Sequence, residues 1–121
     1  MGTLYIGSKG EAYAQKFLEE KGYKLLEHNW RSKLGEIDLI FKEGEDVIFV
    51  EVKTIIKKSP YFHPEDNLTP SKEKKLKQLA LAYLNYRNLG QISYRIDLVA
   101  IDLSESLGVI DMRHYESVVE E

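Results

Sequence analysis

The sequence predicts an α/β fold of two helices and about five strands, and three observations lead there. Two segments repeat apolar residues at helical spacing: Ala14, Phe17 and Leu18 in the first, and Leu76, Leu79, Ala80, Tyr83 and Leu84 in the second. Around them lie stretches that alternate with period two, at 23–31, 36–42, 47–53, 91–103 and 109–115. The middle pair is joined by Glu43-Gly44-Glu45-Asp46, a hairpin turn signal in which Gly44 supplies the permissive backbone. At 121 residues and 14.0 kDa the chain is expected to form a single domain over 1–121, with one core.

The first helix is expected from Ser8 to about Lys21, because Ser8-Lys9-Gly10-Glu11 has the pattern of a capping box and Gly22 follows as a stop. In that reading Glu11 folds back onto the Ser8 amide. Residues 23–31 form the first strand, with Tyr23, Leu25 and Leu26 facing the core and Trp30 as a partly buried anchor. Arg31 and Lys33 follow in the loop to the hairpin, where solvated surface charge is the plain reading and phosphate contact the functional one.

The hairpin carries the chemistry. Ile37, Leu39 and Phe41 are expected on one side and Glu36, Asp38 and Ile40 on the other; in the second strand Ile48, Val50 and Val52 oppose Val47, Phe49, Glu51 and Lys53. Closing the turn over Gly44 and Glu45 sets Glu43 against Asp46, and the same register sets Asp38 against Glu51 and Glu36 against Lys53. Two facing carboxylates at a sheet centre repel and lose hydration, so they call for a cation. A solvated charged face is the competing account, but Glu51 and Lys53 stand among Val50, Val52, Ile55 and Ile56 in a run that reads as buried.

Composition narrows that cation. There is no cysteine, which excludes disulfides and thiolate sites, and the three histidines are too scattered for zinc. Oxygen ligands point to Mg²⁺ or Mn²⁺. No apolar run approaches the length of a membrane span, and MGTLYIGSKG lacks the pattern of a secretory leader or a myristoylation signal, so a cytoplasmic protein with no membrane partner is expected.

The net charge of −3 hides an uneven distribution. Residues 53–77 hold seven lysines (53, 57, 58, 72, 74, 75 and 77) against three acids, leaving −7 for the remainder. A basic segment that starts at the carboxylate strand suits a phosphate-binding rim, and nucleic acid is the partner such a rim would take, although lysine-rich solvated surfaces are common without one. Lys57, Lys58, Lys72, Lys74 and Lys75 are the candidate contacts.

The loop 57–70, with three prolines, Tyr61, Phe62 and His63, has the length and content of a flap over a bound strand. The second helix begins at Thr69-Pro70-Ser71 and runs to about Asn88. Lysines crowd its first turns against the helix dipole, a placement that an anion nearby would relieve. In the strand 91–103, Asp97 is assigned to structure, as an ion-pair partner of Arg95 or a neighbouring strand. Residues 109–115 read as an edge strand and 117–121 as an acidic tail of little consequence.

Asp38, twelve intervening residues and Glu51-Val52-Lys53 resemble the PD-(D/E)XK nuclease motif, with Ile37 where that motif has proline. The wider set resembles the bacterial YraN-like family over nearly the whole chain: Ser8-Lys9-Gly10-Glu11 with Ala14, Gly22-Tyr23, Asn29, GEIDLI, FVEVK and Arg95-Ile96-Asp97. The resemblance implies a restriction endonuclease-like three-layer core, a mixed central sheet flanked by helices, similar to archaeal Holliday-junction resolvases. It implies a Mg²⁺-dependent endonuclease acting on DNA, including branched intermediates, and is compatible with a homodimer. Asp38 and Glu51 would hold the metal, Lys53 would orient or activate the attacking water, and Glu11 would complete the site.

Overall fold

The computed structural model describes residues 3–58, 63, 65 and 68–119. Helix α1 (Thr3–Glu20) is followed by strands β1 (Lys24–Ser32), β2 (Gly35–Glu43) and β3 (Asp46–Ile56). Helix α2 (Pro70–Tyr86) then leads to β4 (Tyr94–Leu103) and β5 (Val109–Tyr115). The strands form one sheet in the order β1-β2-β3-β4-β5, antiparallel everywhere except between β3 and β4. That parallel step needs a crossover, and α2 supplies it.

Each helix covers one face, which makes the three layers. Ala14 and Leu18 of α1 pack on Leu39, Phe41, Ile48, Val50, Val99, Ile101 and Leu103. On the other face Leu76, Leu79, Ala80, Tyr83 and Leu84 of α2 pack on Ile37, Ile40, Val47, Phe49 and Ile96. Strand β4 is buried from Ile96 to Leu103, as the sheet's covered interior requires. The α2 start is as expected: Thr69 Oγ1 accepts from the Lys72 amide at 3.3 Å with Pro70 just inside the helix. Asp97 is structural as expected, held by Arg95 at 2.9 Å, His114 at 2.8 Å and the Ser117 amide at 3.0 Å.

Four expectations change. Helix α1 starts at Thr3, a turn and more before Ser8, so Ser8 is no cap and Glu11 lies mid-helix. Ile6 packs on the same cluster as Ala14 and carries the apolar stripe back by a turn. Leu26 points to solvent at 39% exposure, on the outer strand. The start of the tail is anchored rather than idle: the Val118 amide bonds the Ile96 carbonyl at 2.8 Å, and Val118 and Val119 pack on the α2 cluster.

The fourth change shapes the site. Leu39 and Phe41 face α1, but Ile37 faces α2. Alternation therefore breaks at Asp38. Opposite it in β1, Asn29 has φ 51°, a left-handed conformation that asparagine tolerates better than most residues. Val47 and Phe49 of β3 face α2 while Ile48, Val50 and Val52 face α1, so β3 keeps the expected faces.

Candidate metal and phosphate site

The hairpin register is the expected one as far as it goes, from Glu43↔Asp46 to Leu39↔Val50. There the ladder ends. A continued ladder would give the Val52 amide to the Ile37 carbonyl; it is donated instead to Asp38 Oδ2 at 2.8 Å. The strands splay, and Asp38 fills the gap.

Glu51 occupies the other side of the gap, with its carboxyl close enough to that of Asp38 to act on it. Burial pushes Asp38 well above the usual carboxylate range, with the hydrogen bond to Glu51, the Glu51 charge and the Glu11 charge adding to it, and the Val52 amide pulling the other way. Lys53 Nζ stands 3.7 Å from Glu51 Oε2, both side chains largely buried at 25% and 18% exposure.

Glu11 reaches this region because α1 comes very close to β3. A Cβ on Gly10 would lie 1.9 Å from Thr54 Oγ1. Only glycine fits there. The Glu11 carboxylate accepts from Asn29 Nδ2 at 2.8 Å, and the same amide nitrogen donates to Glu36 at 2.8 Å. Glu36 also meets Arg31 at 3.5 Å. The expected Glu36–Lys53 pairing is thus replaced, because the ladder stops before those residues face each other.

Two cavities open on the gap. One of about 350 Å³ lies on the α1 side, lined by Gly7, Ser8, Glu11, Asn29, Arg31, Glu36 and Asp38. The other, about 210 Å³ on the α2 side, is lined by Gly35, Glu36, Glu51, Lys53, Lys72, Lys75, Leu76 and Leu79. One side is acidic and the other basic. Lys58 borders a third cavity with Lys53, along the C-terminal half of β3. Lys57 turns away to Asp102 at 3.2 Å, and Lys74 is exposed outside these cavities.

His63 is exposed and lines a separate cavity with Lys57, Glu65, Asp111, Arg113 and Tyr115. Arg113 there bonds Glu65, Asp102 and Asp111 at 2.6–3.3 Å, so its charge is spent within that network. The expected flap residues Pro60, Tyr61 and Phe62 lie outside the described residues. Trp30 packs edge-on against Tyr83, 5.3 Å between centroids, and serves as the expected anchor.

Residues 10–101 match the model of the uncharacterised protein family UPF0102. The chain belongs to that family. Relatives include UPF0102 proteins of Caldicellulosiruptor saccharolyticus, 37% identical over 93% of this chain and 94% of the relative. Another, from Chloroherpeton thalassium, is 45% identical over 86% and 80%. That of Rhodococcus opacus is 39% identical over 82% and 83%. The family match begins at Gly10, the residue that lets α1 approach Thr54, and spans both carboxylates of the gap.

Whether the donors suit a divalent cation follows from their chemistry. Among the described residues no three acidic or histidine side chains are gathered as a cage. Mg²⁺ commonly takes only one or two carboxylates from protein and completes its shell with water and phosphate. Asp38 and Glu51 supply that number, and a cation between them would relieve the Glu51 charge that helps to hold Asp38 above its ordinary range. Sequence reasoning missed Asn29 as a hydrogen-bonding group. Its signal was a strand-averse residue between His28 and Trp30.

Proposed function

We propose that the chain is a Mg²⁺- or Mn²⁺-dependent endonuclease hydrolysing phosphodiester bonds of DNA. One observation carries this: two carboxyls side by side in a half-buried gap, with an ammonium group against one of them and lysine-lined space in front. A purely structural pair would be better replaced by apolar groups, since a buried, mutually repelling pair costs stability.

Asp38 and Glu51 would hold the cation, with Glu11 approaching from α1. When bound, the cation supplies Lewis-acid polarisation of the phosphodiester and lowers the pKa of the attacking water. Lys53 then exchanges its contact with Glu51 for the scissile phosphate and stabilises the charge that accumulates on it. Lys72 and Lys75, projecting from the start of α2 onto the same cavity, seat the flanking backbone phosphates. Branched or recombination intermediates are the substrates the resemblance favours.

The test is incubation with Mg²⁺ or Mn²⁺ and a panel of linear, single-stranded, flapped and four-way DNA. Cleavage that Asp38→Ala reduces by at least two orders of magnitude is the expected outcome. Salt-sensitive binding without cleavage would replace the enzyme with a binding module of the same fold. No response to metal or DNA would leave an internal charge network and remove the reading.

A further inference from the structure

We propose that Asn29 is the positioning residue of this site, the group that holds Glu11 and Glu36 toward the cavity that Asp38 also lines. The inference rests on the cation-site reading above. Its basis is a single amide nitrogen that donates one hydrogen to Glu11 Oε1 and the other to Glu36 Oε1, each at 2.8 Å. An NH₂ group has two donors, and both are spent on carboxylates that belong to different elements, α1 and β2. The opposite amide orientation would press Oδ1 against two anions, so the chemistry settles which end faces them. His28 Nδ1 stands 3.2 Å from the outward Oδ1.

The backbone makes the bracket. With φ 51° at Asn29, the strand changes phase between His28 and Trp30, sending Trp30 to the α2 face against Tyr83 while the Asn29 side chain lines the α1-side cavity. A side chain short enough to bond there and tolerant of the left-handed region is required, and asparagine meets both conditions. Asp38, at the facing position in β2, lines the same cavity. Glu11 and Glu36 repel each other and Asp38. Without the amide between them Glu36 would keep Arg31, but Glu11 would lose the hydrogen bond that holds it toward the cavity, and the third carboxylate of the site would no longer be presented. Outer partners of metal-binding carboxylates act in this way and typically change cation affinity 10–100-fold.

Asn29→Gly keeps the left-handed backbone and removes the bracket, which separates the two roles of the residue. The measurement is the Mg²⁺ or Mn²⁺ concentration at the midpoint of the melting-temperature rise that the ion alone produces. For Asn29→Gly the midpoint is expected to move up by about 10-fold or more, beyond whatever melting temperature the variant loses without metal. In a Glu11→Gln background the same substitution should move it by less than half as much in logarithmic terms, because Asn29 acts through Glu11. If the wild-type protein gains no stability from either ion, the site reading fails and this inference with it. If the wild type responds but the Asn29→Gly midpoint stays within twofold, or shifts equally in the Glu11→Gln background, the positioning role alone is overturned.

Discussion

At the scale of single residues, the acid pair in the gap makes a prediction about stability before any about catalysis. Asp38 titrates above its ordinary value because it is buried and because Glu51 and Glu11 oppose its charge. The metal-free folded state therefore keeps a proton that the unfolded chain releases at about pH 3.9. A raised carboxyl contributes stability that is complete below that pH and is lost as pH rises towards the folded value, at about 1.4 kcal/mol for each pH unit by which the two states differ. Asp38→Asn removes the titration and keeps an oxygen for the Val52 amide. The variant should melt higher than the wild type in chelator at neutral pH and show a flatter decline into alkaline pH. It should also lose the stabilisation by Mg²⁺. Thermal melts across pH, with and without the ion, check all three; an unchanged slope would mean that the proton sits elsewhere.

At the scale of elements, the approach of α1 to β3 is what brings Glu11 into range, and two glycines of that helix behave oppositely. Gly7 has open space where a side chain would start, whereas a Cβ on Gly10 would collide with Thr54 Oγ1. Gly7→Ala should stabilise the protein by roughly 0.5–1 kcal/mol through helix propensity. Gly10→Ala should instead cost about 1–3 kcal/mol from overpacking and move Glu11 away from the site. Denaturant melts of the two variants give the sign of each. Much of this arrangement was legible from the residues: the Gly44 turn set the hairpin register, the spacing from Leu76 to Leu84 marked α2 and its inward face, and the alternation at 47–52 gave the faces of β3. The start of α1 was misread because Ser8-Lys9-Gly10-Glu11 has the form of a cap, while the residue that extends the helix, Ile6, is recognised only once β3 is beneath it. The phase break at Asp38 is not visible in the alternation of β2 itself; it lies opposite the left-handed Asn29 of β1.

At the scale of the whole molecule, the formal charge of −3 is a poor guide to what it attracts, because many of its charges are already spent. Arg113 binds Glu65, Asp102 and Asp111, and Arg95 binds Asp97 and Glu116, at the end of the sheet formed by β4 and β5. Lys57 belongs to that end too: it is 20% exposed and joined to the buried Asp102, a pairing between residues 45 positions apart that local composition could not reveal. Lys72 and Lys75 instead border the cavity in front of Glu51 and Lys53. The lysine-rich segment thus divides into a member tied to the β4–β5 end and a pair that lines the cavity. Removing one phosphate-binding lysine should lower the steepness of the salt dependence of DNA binding by about one. Lys72→Ala with Lys75→Ala should therefore weaken binding across all sequences and reduce that slope by about two. Lys57→Ala should do the reverse, lowering the melting temperature by leaving Asp102 with Arg113 alone while the slope stays as in the wild type. Affinities measured over a series of salt concentrations, beside melts of the same proteins, decide it, and a slope carried by Lys57 rather than by the α2 lysines would place the DNA at the opposite end of the sheet.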